Sequence, residues 1–194
     1  MALYKIKDFV SEYDRNFADD DIIGYELYSN TEKIGKVDNI LVDDEGHFRY
    51  LVANTGILGL GKSILLPVGY ARIDYDQHRV YADHLSKEQV EALPKYDDGM
   101  TVDFHHEESV RKVYRQSQEP VVLNRAGAGV GYGGIDTAPV SNNSAPVVDL
   151  TPGYDGYDHQ NYSYDRDPNL YQLKDESLKQ RQQRFQSLKM TRTI

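Results

Sequence analysis

Apolar and polar residues alternate in short runs between residues 25 and 82, a pattern typical of β-strands separated by turns. The runs Tyr25–Tyr28 and Ile34–Val42 flank a polar turn and predict a first β-hairpin. The acidic turn Asp43–Gly46 leads into Phe48–Ala53 and predicts a second hairpin. Five or six antiparallel strands within about 60 residues predict a small closed β-barrel.

Helical patterns flank this strand region. Ser86 is suited to cap a short helix that continues through Leu93 and ends at Pro94. Residues 107–116 predict a second helix, and a strand-like run follows at Pro120–Leu123. At the N-terminus, the helical spacing of four apolar residues predicts a small covering helix: Leu3, Ile6, Val10 and Tyr13.

The composition of the chain changes after residue 124. A glycine run opens the segment 125–170, which shows no sustained periodicity, so we expect a linker in solution. Tyrosines are unusual in a spacer, because rigid amphipathic rings suit a chain that lies along a partner protein. We therefore expect partner binding to involve four tyrosines of this segment, namely Tyr154, Tyr157, Tyr162 and Tyr164.

Residues 171–194 regain helical periodicity and carry a narrow apolar stripe with a cationic rim. The stripe consists of Tyr171, Leu178, Phe185 and Leu188, and the cations beside it include Arg181 and Arg184. A stripe this narrow does not sustain a helix alone. We expect a short amphipathic helix that binds a protein groove in preference to a membrane. Docking back onto the acidic N-terminal region is the alternative.

Charge separates the same three zones. Residues 1–124 carry 14 basic and 23 acidic side chains, residues 125–170 carry 2 and 6, and residues 171–194 carry 6 and 2. The whole chain has 194 residues and a net charge of −9, which argues against a nucleic-acid partner. The sequence shows neither an apolar run long enough to cross a bilayer nor a signal peptide, so we expect a cytoplasmic protein that is soluble or peripheral to a membrane.

We expect no catalytic residue, no cofactor and no metal site. The absence of Cys excludes disulfides, thiolate nucleophiles, zinc–cysteine sites and iron–sulfur clusters. The glycines at 127–131 are not followed by the helix that a dinucleotide loop requires. His105 and His106 lie among carboxylates, but adjacent imidazoles rarely share one metal, so a solvated acidic connector is the better interpretation.

Several of these segments together strongly resemble the PRC-barrel family, which is named after the cytoplasmic domain of the photosynthetic reaction centre H subunit and includes a ribosome-maturation factor. The segments that carry the resemblance are Ile23–Tyr28, Glu32–Asp43, Phe48–Val52, Ile64–Val68 and Arg79–Tyr81. It covers about residues 20–95. The flanks Leu3–Phe9 and Tyr96–Asp103 look like those of a cyanobacterial subgroup.

The resemblance implies a mainly β fold: a small antiparallel PRC-type β-barrel with short flanking helices, then a long irregular C-terminal extension that ends in a short amphipathic helix. The predicted division is an N-terminal flank 1–19, the barrel 20–95, a flanking extension 96–124, the linker 125–170 and the basic amphipathic segment 171–194.

Members of the family generally act as non-enzymatic adaptors, so the resemblance implies an adaptor or assembly protein of the photosynthetic apparatus. The C-terminal extension would bind a phycobilisome core or photosystem subunits, and the barrel would contact a second partner. The expected location is cytoplasmic, peripheral to the thylakoid membrane on its cytoplasmic side. An RNA-processing or ribosome-assembly factor and a stress-related soluble protein are the alternatives, and an enzyme is disfavoured.

Overall fold

The computed structural model describes residues 2–9, 22–56, 61–82, 85–116 and 161–190. Residues 1–119 and 163–194 form one compact unit, and residues 120–162 belong to a second. The first unit carries the fold described below. The predicted strand-like run Pro120–Leu123, the glycine run and most of the predicted linker lie outside the described residues.

Among the described residues, seven strands form one sheet. Their bounds are β1 (Leu3–Lys5), β2 (Glu26–Ser29), β3 (Glu32–Asp43), β4 (Phe48–Asn54), β5 (Ser63–Pro67), β6 (Arg72–Asp74) and β7 (Arg79–Tyr81). The two predicted hairpins are present as the antiparallel pairs β2–β3 and β3–β4. The twelve-residue β3 organises the sheet, because it pairs with β1, β2 and β4.

The sheet is open, which corrects the predicted closed antiparallel barrel. The strand order is β5-β4-β3-β2-β7-β6, and β1 pairs with β3 off this path. No ladder joins the described residues of β5 and β6, and β2 pairs with β7 in parallel. The physical reason lies between β5 and β6, where the 3-10 turn Val68–Tyr70 leaves the sheet and a C-terminal helix packs against it.

Five α-helices complete the described residues: α1 (Ile6–Phe9), α2 (Lys87–Ala92), α3 (Phe104–Gln116), α4 (Pro168–Tyr171) and α5 (Glu176–Met190). The predicted helix after Ser86 is confirmed as α2, with Ser86 and Gln89 forming a reciprocal capping box. The predicted N-terminal helix is reduced to α1, since Leu3–Lys5 pair with β3 as a strand. Val10 and Tyr13 lie outside the described residues.

Residues 163–190, called the docked segment below, pack onto the sheet and α3. Phe185 of α5 is fully buried and meets the Phe48 ring edge-on at a centroid distance of 5.9 Å. The backbone N–H of Phe48 donates to Gln182 Oε1 at 2.7 Å. Residues 163–170, which the sequence assigns to the linker, therefore share a compact unit with the sheet.

Gly69 permits the close approach of α4 to the 3-10 turn. A Cβ atom at this position would overlap the backbone oxygen of Asn169 and lie 2.8 Å from the carbonyl carbon of Leu170. Because backbone rather than a flexible side chain occupies that space, the neighbouring segment would have to move. The glycine thus links the turn that opens the sheet to the docked segment that covers it.

We expect Gly69→Ala to loosen the docked segment and lower the free energy of unfolding by about 1–3 kcal/mol, the usual cost of overpacking. Limited proteolysis should then cut within residues 163–190 at lower protease concentration. Gly61→Ala is the matched control, because its Cβ would meet nothing within 4 Å and only its φ of +55° adds strain, about 1 kcal/mol. Equal protease sensitivity of the two variants would contradict the close-approach argument.

Candidate functional site

A buried polar cluster joins the sheet, α3 and the docked segment. It consists of Glu107 and Arg111 of α3, Tyr50 of β4, and Tyr164 and Tyr171 of the docked segment, and is called the Glu107 cluster below. Glu107 is 4% exposed and Arg111 is fully buried. Charged side chains are rarely buried so deeply without partners, so the cluster must satisfy its own charges.

Each polar group of the Glu107 carboxylate has a partner within hydrogen-bond distance. Arg111 Nη1 lies 3.1 Å from Glu107 Oε2, and the Tyr50 hydroxyl donates to the same oxygen at 3.0 Å. The Tyr164 hydroxyl lies 3.1 Å from both carboxylate oxygens. Tyr171 extends the network through a hydrogen bond between its hydroxyl and that of Tyr50. The carboxylate therefore holds the docked segment to the sheet.

Burial and hydrogen bonding act on the Glu107 pKa in opposite directions. Removal from water disfavours the charged form and raises the pKa of Glu107, while Arg111 and the two tyrosine hydroxyls oppose that rise. Burial also raises the pKa of Tyr50, Tyr164 and Tyr171. The tyrosines are therefore neutral hydrogen-bond donors at physiological pH, a role that favours a structural cluster.

Further polar contacts fasten the docked segment along its length. Arg115 of α3 binds Asp167 through two nitrogens, at 3.1 Å and 2.6 Å. The Tyr75 hydroxyl donates to Asp175 Oδ1 at 2.9 Å, ahead of α5. Paired donors on a planar guanidinium make a directional contact with a carboxylate. These contacts fix the segment at its start and at the entry to α5.

An acidic cleft of about 300 Å³ lies where the β3–β4 turn meets the start of the docked segment. Its lining consists of Asp43, Asp44, Glu45, Arg49, Ser163, Tyr164 and Asp165. Arg49 binds Asp43 Oδ2 at 2.6 Å and stacks over the Tyr164 ring at 4.0 Å. The Asp43 carboxylate also accepts from the backbone N–H groups of Glu45 and His47. The polar side chains that line the cleft therefore stabilise the β3–β4 turn.

The structure places most of the predicted partner-binding stripe inside the chain's own core. Leu178 and Phe185 are 1% and 0% exposed, and Tyr171 is 5% exposed within the Glu107 cluster. Arg181, predicted as a rim cation, is also buried at 5%. This arrangement corresponds to the alternative in which the segment docks back onto the acidic N-terminal region. A helix with a narrow apolar stripe needs an apolar surface to pack against, and the sheet offers one.

The remaining predicted residues are scattered. Arg184 is exposed and Leu188 is half-buried on α5. Tyr164 is 3% exposed in the Glu107 cluster, and the side chain of Tyr162 is 8% exposed. Tyr154 and Tyr157 lie outside the described residues. The eight predicted side chains that lie within the described residues are thus not brought together on one surface.

A second set of side chains was missed in the sequence and lies on the solvent side of β3, β2, β7 and β6. Strand pairing arranges it in two rows, Lys33–Tyr28–Tyr81–Arg72 and Lys36–Glu26–Arg79–Asp74, together called the outer sheet face. The residues between them on β2 and β7, Leu27 and Val80, are fully buried. On β2, β7 and β6, alternation therefore sends one set inward and the other outward. On β3, a register shift opposite Leu27 and Tyr28 brings Lys33 and Lys36, three residues apart, into the two rows.

The outer sheet face is ordered by contacts between rings and cations. The rings of Tyr28 and Tyr81 lie 5.7 Å apart between centroids. Arg72 stacks over Tyr81 at 4.2 Å, and Arg79 stacks over Tyr28 at 4.8 Å. These contacts hold two guanidinium groups against aromatic faces, an arrangement of about 0.5–1 kcal/mol at exposed sites.

Glu26 is the central carboxylate of the outer sheet face. It forms an ion pair with Lys33, and the Tyr28 hydroxyl donates to it at 3.1 Å. The hydrogen bond from Lys33 is the main reason that the Glu26 pKa is lowered. The side chains of Lys33 and Glu26 are still 39% and 41% exposed. The face is thus internally ordered and accessible to solvent at the same time.

His105 and His106 lie in the first turn of α3. Burial lowers the pKa of His106, so its neutral form is favoured. Across the described ranges, no group of three or more His, Cys, Asp or Glu side chains is arranged to hold a metal ion. Likewise, none of the described helices is both long and apolar enough to span a bilayer.

Comparison with known proteins identifies a domain within the chain. Residues 14–89 match the PRC-barrel domain. A protein of Deinococcus radiodurans described as "Uncharacterized protein" is 37% identical over 93 residues, which is 46% of this chain and 33% of that relative. The matched part therefore spans about a third of the relative's length. The domain match covers the strands of the sheet from β2 to β7 and ends within α2.

We expect Phe185→Ala to lower the free energy of unfolding by about 3–5 kcal/mol, because it empties a fully buried site against Phe48. Leu188→Ala, on the same helix but half-buried, is the control and should cost clearly less. Chemical denaturation of the two full-length variants measures both values. Equal costs would mean that Phe185 does not anchor α5.

The pH dependence of stability should depend on Glu107. Because its pKa is raised in the folded state, the folded protein binds a proton more readily than the unfolded chain above the usual value of 4.5. The stability advantage of the native protein over Glu107→Gln should therefore grow as pH falls from neutral towards 4.5. Denaturation curves across this range measure it, with Glu91→Gln at an exposed position of α2 as control. A constant difference between native protein and Glu107→Gln would contradict the assignment.

Proposed function

We propose that this chain, which carries a PRC-barrel domain at residues 14–89, is a non-enzymatic adaptor that binds a partner protein through its outer sheet face. The observation that carries the proposal is the pair of half-buried tyrosines, Tyr28 and Tyr81, held between cations on the outer sheet face. Tyrosine and arginine are enriched among the residues that dominate protein–protein binding energies.

The arrangement of the other polar groups supports a binding role for this face. The Glu107 cluster and the Arg115–Asp167 pair are engaged in holding the docked segment. The side chains of the acidic cleft contact one another across the β3–β4 turn. On the outer sheet face, by contrast, Lys36 and Arg72 are exposed and the other side chains are half-buried, so a partner can reach them.

The proposal assigns the photosynthetic apparatus as the setting, on the strength of the sequence resemblance to the PRC-barrel family. A phycobilisome core or a photosystem subunit is then the partner, met on the cytoplasmic side of the thylakoid membrane. The docked segment stabilises the adaptor, since the apolar side chains of its stripe already contact the sheet.

A photo-crosslinking experiment tests the adaptor proposal. Tyr81 is replaced by p-benzoylphenylalanine in the full-length protein in its native cells, and crosslinked proteins are identified by mass spectrometry. The proposal predicts one reproducible partner, a phycobilisome or photosystem subunit. The matched control carries the same photoreactive residue at Gln183, on the exposed side of α5.

Crosslinks from position 183 alone would return the partner contact to the C-terminal helix and overturn the outer-face assignment. Ribosomal proteins captured from position 81 would favour the ribosome-assembly alternative over a photosynthetic setting. No crosslink from either position would contradict the adaptor role in these cells.

A further inference from the structure

The outer sheet face has a spacing that selects for a particular kind of partner. We propose that it binds an extended acidic segment of a protein, in which two carboxylates four residues apart flank one apolar or aromatic side chain. This inference rests on the proposed adaptor function and adds the chemistry of the partner. The part of the face that contacts these three side chains is the first row, Lys33–Tyr28–Tyr81–Arg72.

The spacing follows from the sheet. Lys33 and Arg72 stand at the ends of a row that crosses four neighbouring strands, with both tyrosines between them. Neighbouring strands are about 4.8 Å apart, so three intervals separate the two cations by about 14 Å. An extended chain rises about 3.3 Å per residue, so residues i and i+4 are about 13 Å apart. The two distances match.

The same periodicity places the central residue of the partner. Side chains at i, i+2 and i+4 of an extended chain point to one side. Carboxylates at i and i+4 would then meet Lys33 and Arg72, while the side chain at i+2 would lie over Tyr28 and Tyr81. An apolar or aromatic group is the suitable occupant there, because it can contact the parts of the two rings that the guanidinium groups of Arg72 and Arg79 leave uncovered.

Charge favours an acidic protein segment over a nucleic acid. The two rows hold four cations, Lys33, Lys36, Arg72 and Arg79, against the carboxylates Glu26 and Asp74. A segment with two separated carboxylates complements the cations at the ends of the first row. A phosphate backbone would also place negative charge beside the carboxylates of Glu26 and Asp74, which would repel it. The net charge of −9 on the whole chain adds to this repulsion. Alternating charges in the second row thus disfavour a continuous polyanion.

Existing contacts reduce the cost of binding. Arg72 already stacks on Tyr81, and Glu26 already holds Lys33 and the Tyr28 hydroxyl. Side chains fixed before binding lose less rotamer freedom when a partner arrives. The row is consequently a prearranged surface whose cations keep their spacing without the partner.

The test uses the full-length protein and two fluorescein-labelled peptides of the same composition. The first, Gly-Glu-Ser-Phe-Ser-Glu-Gly, has the proposed spacing, and the second, Gly-Glu-Glu-Phe-Ser-Ser-Gly, does not. Fluorescence anisotropy should show at least fivefold tighter binding of the first peptide. Arg72→Glu should weaken that binding at least tenfold, whereas Lys112→Glu, the same charge change at an exposed position of α3, should change it less than twofold. Circular dichroism checks that both variants are folded.

Other outcomes would overturn the inference. Equal binding of the two peptides would remove the spacing argument. Tighter binding of a single-stranded oligothymidylate, lost in Arg72→Glu, would assign the face to nucleic acid. Absence of peptide binding together with a specific crosslink from position 81 would reject the acidic segment and leave the adaptor function standing. Absence of both would reject the two proposals together.

Discussion

The buried ion pair between Glu107 and Arg111 is the contact on which the arrangement of the domain depends. Both charges come from α3, yet the carboxylate is also held by Tyr50 of the sheet and Tyr164 of the docked segment. Burying charges is costly, and losing one partner would leave the other charge without compensation. Three separate parts of the chain must therefore meet before this cluster is satisfied, which ties the docked segment to the fold.

The open sheet and the docked segment depend on each other. Leaving β5 and β6 unpaired would expose the end of the sheet near the 3-10 turn Val68–Tyr70, and α4 packs at that place instead. Gly69 makes the approach close, and Tyr171 of α4 reaches the Glu107 cluster beside it. Coverage by a helix replaces strand closure here. The docked segment, which more than forty residues of sequence separate from the rest of this unit, thereby completes the core of the unit.

Local elements could be predicted from the sequence, whereas long-range contacts could not. The hairpins and α2 follow from alternation, turn residues and a capping serine, all encoded within a few positions. The parallel pairing of β2 with β7, which creates the outer sheet face, joins residues about fifty positions apart and leaves no local signal. The Glu107–Arg111 spacing of four residues does suggest a helical pair, but its tyrosine partners come from distant segments.

The tyrosines illustrate how burial decides what one residue type can do. Tyr50, Tyr164 and Tyr171 have their hydroxyls within the Glu107 cluster, where removal from water leaves them as neutral donors that hold the fold together. Tyr28 and Tyr81 are half-buried on the outer sheet face, with arginines over their rings. Periodicity alone treats both groups alike. Only the sheet register places the second group on the outer sheet face, the surface that we propose for partner binding in place of the C-terminal stripe.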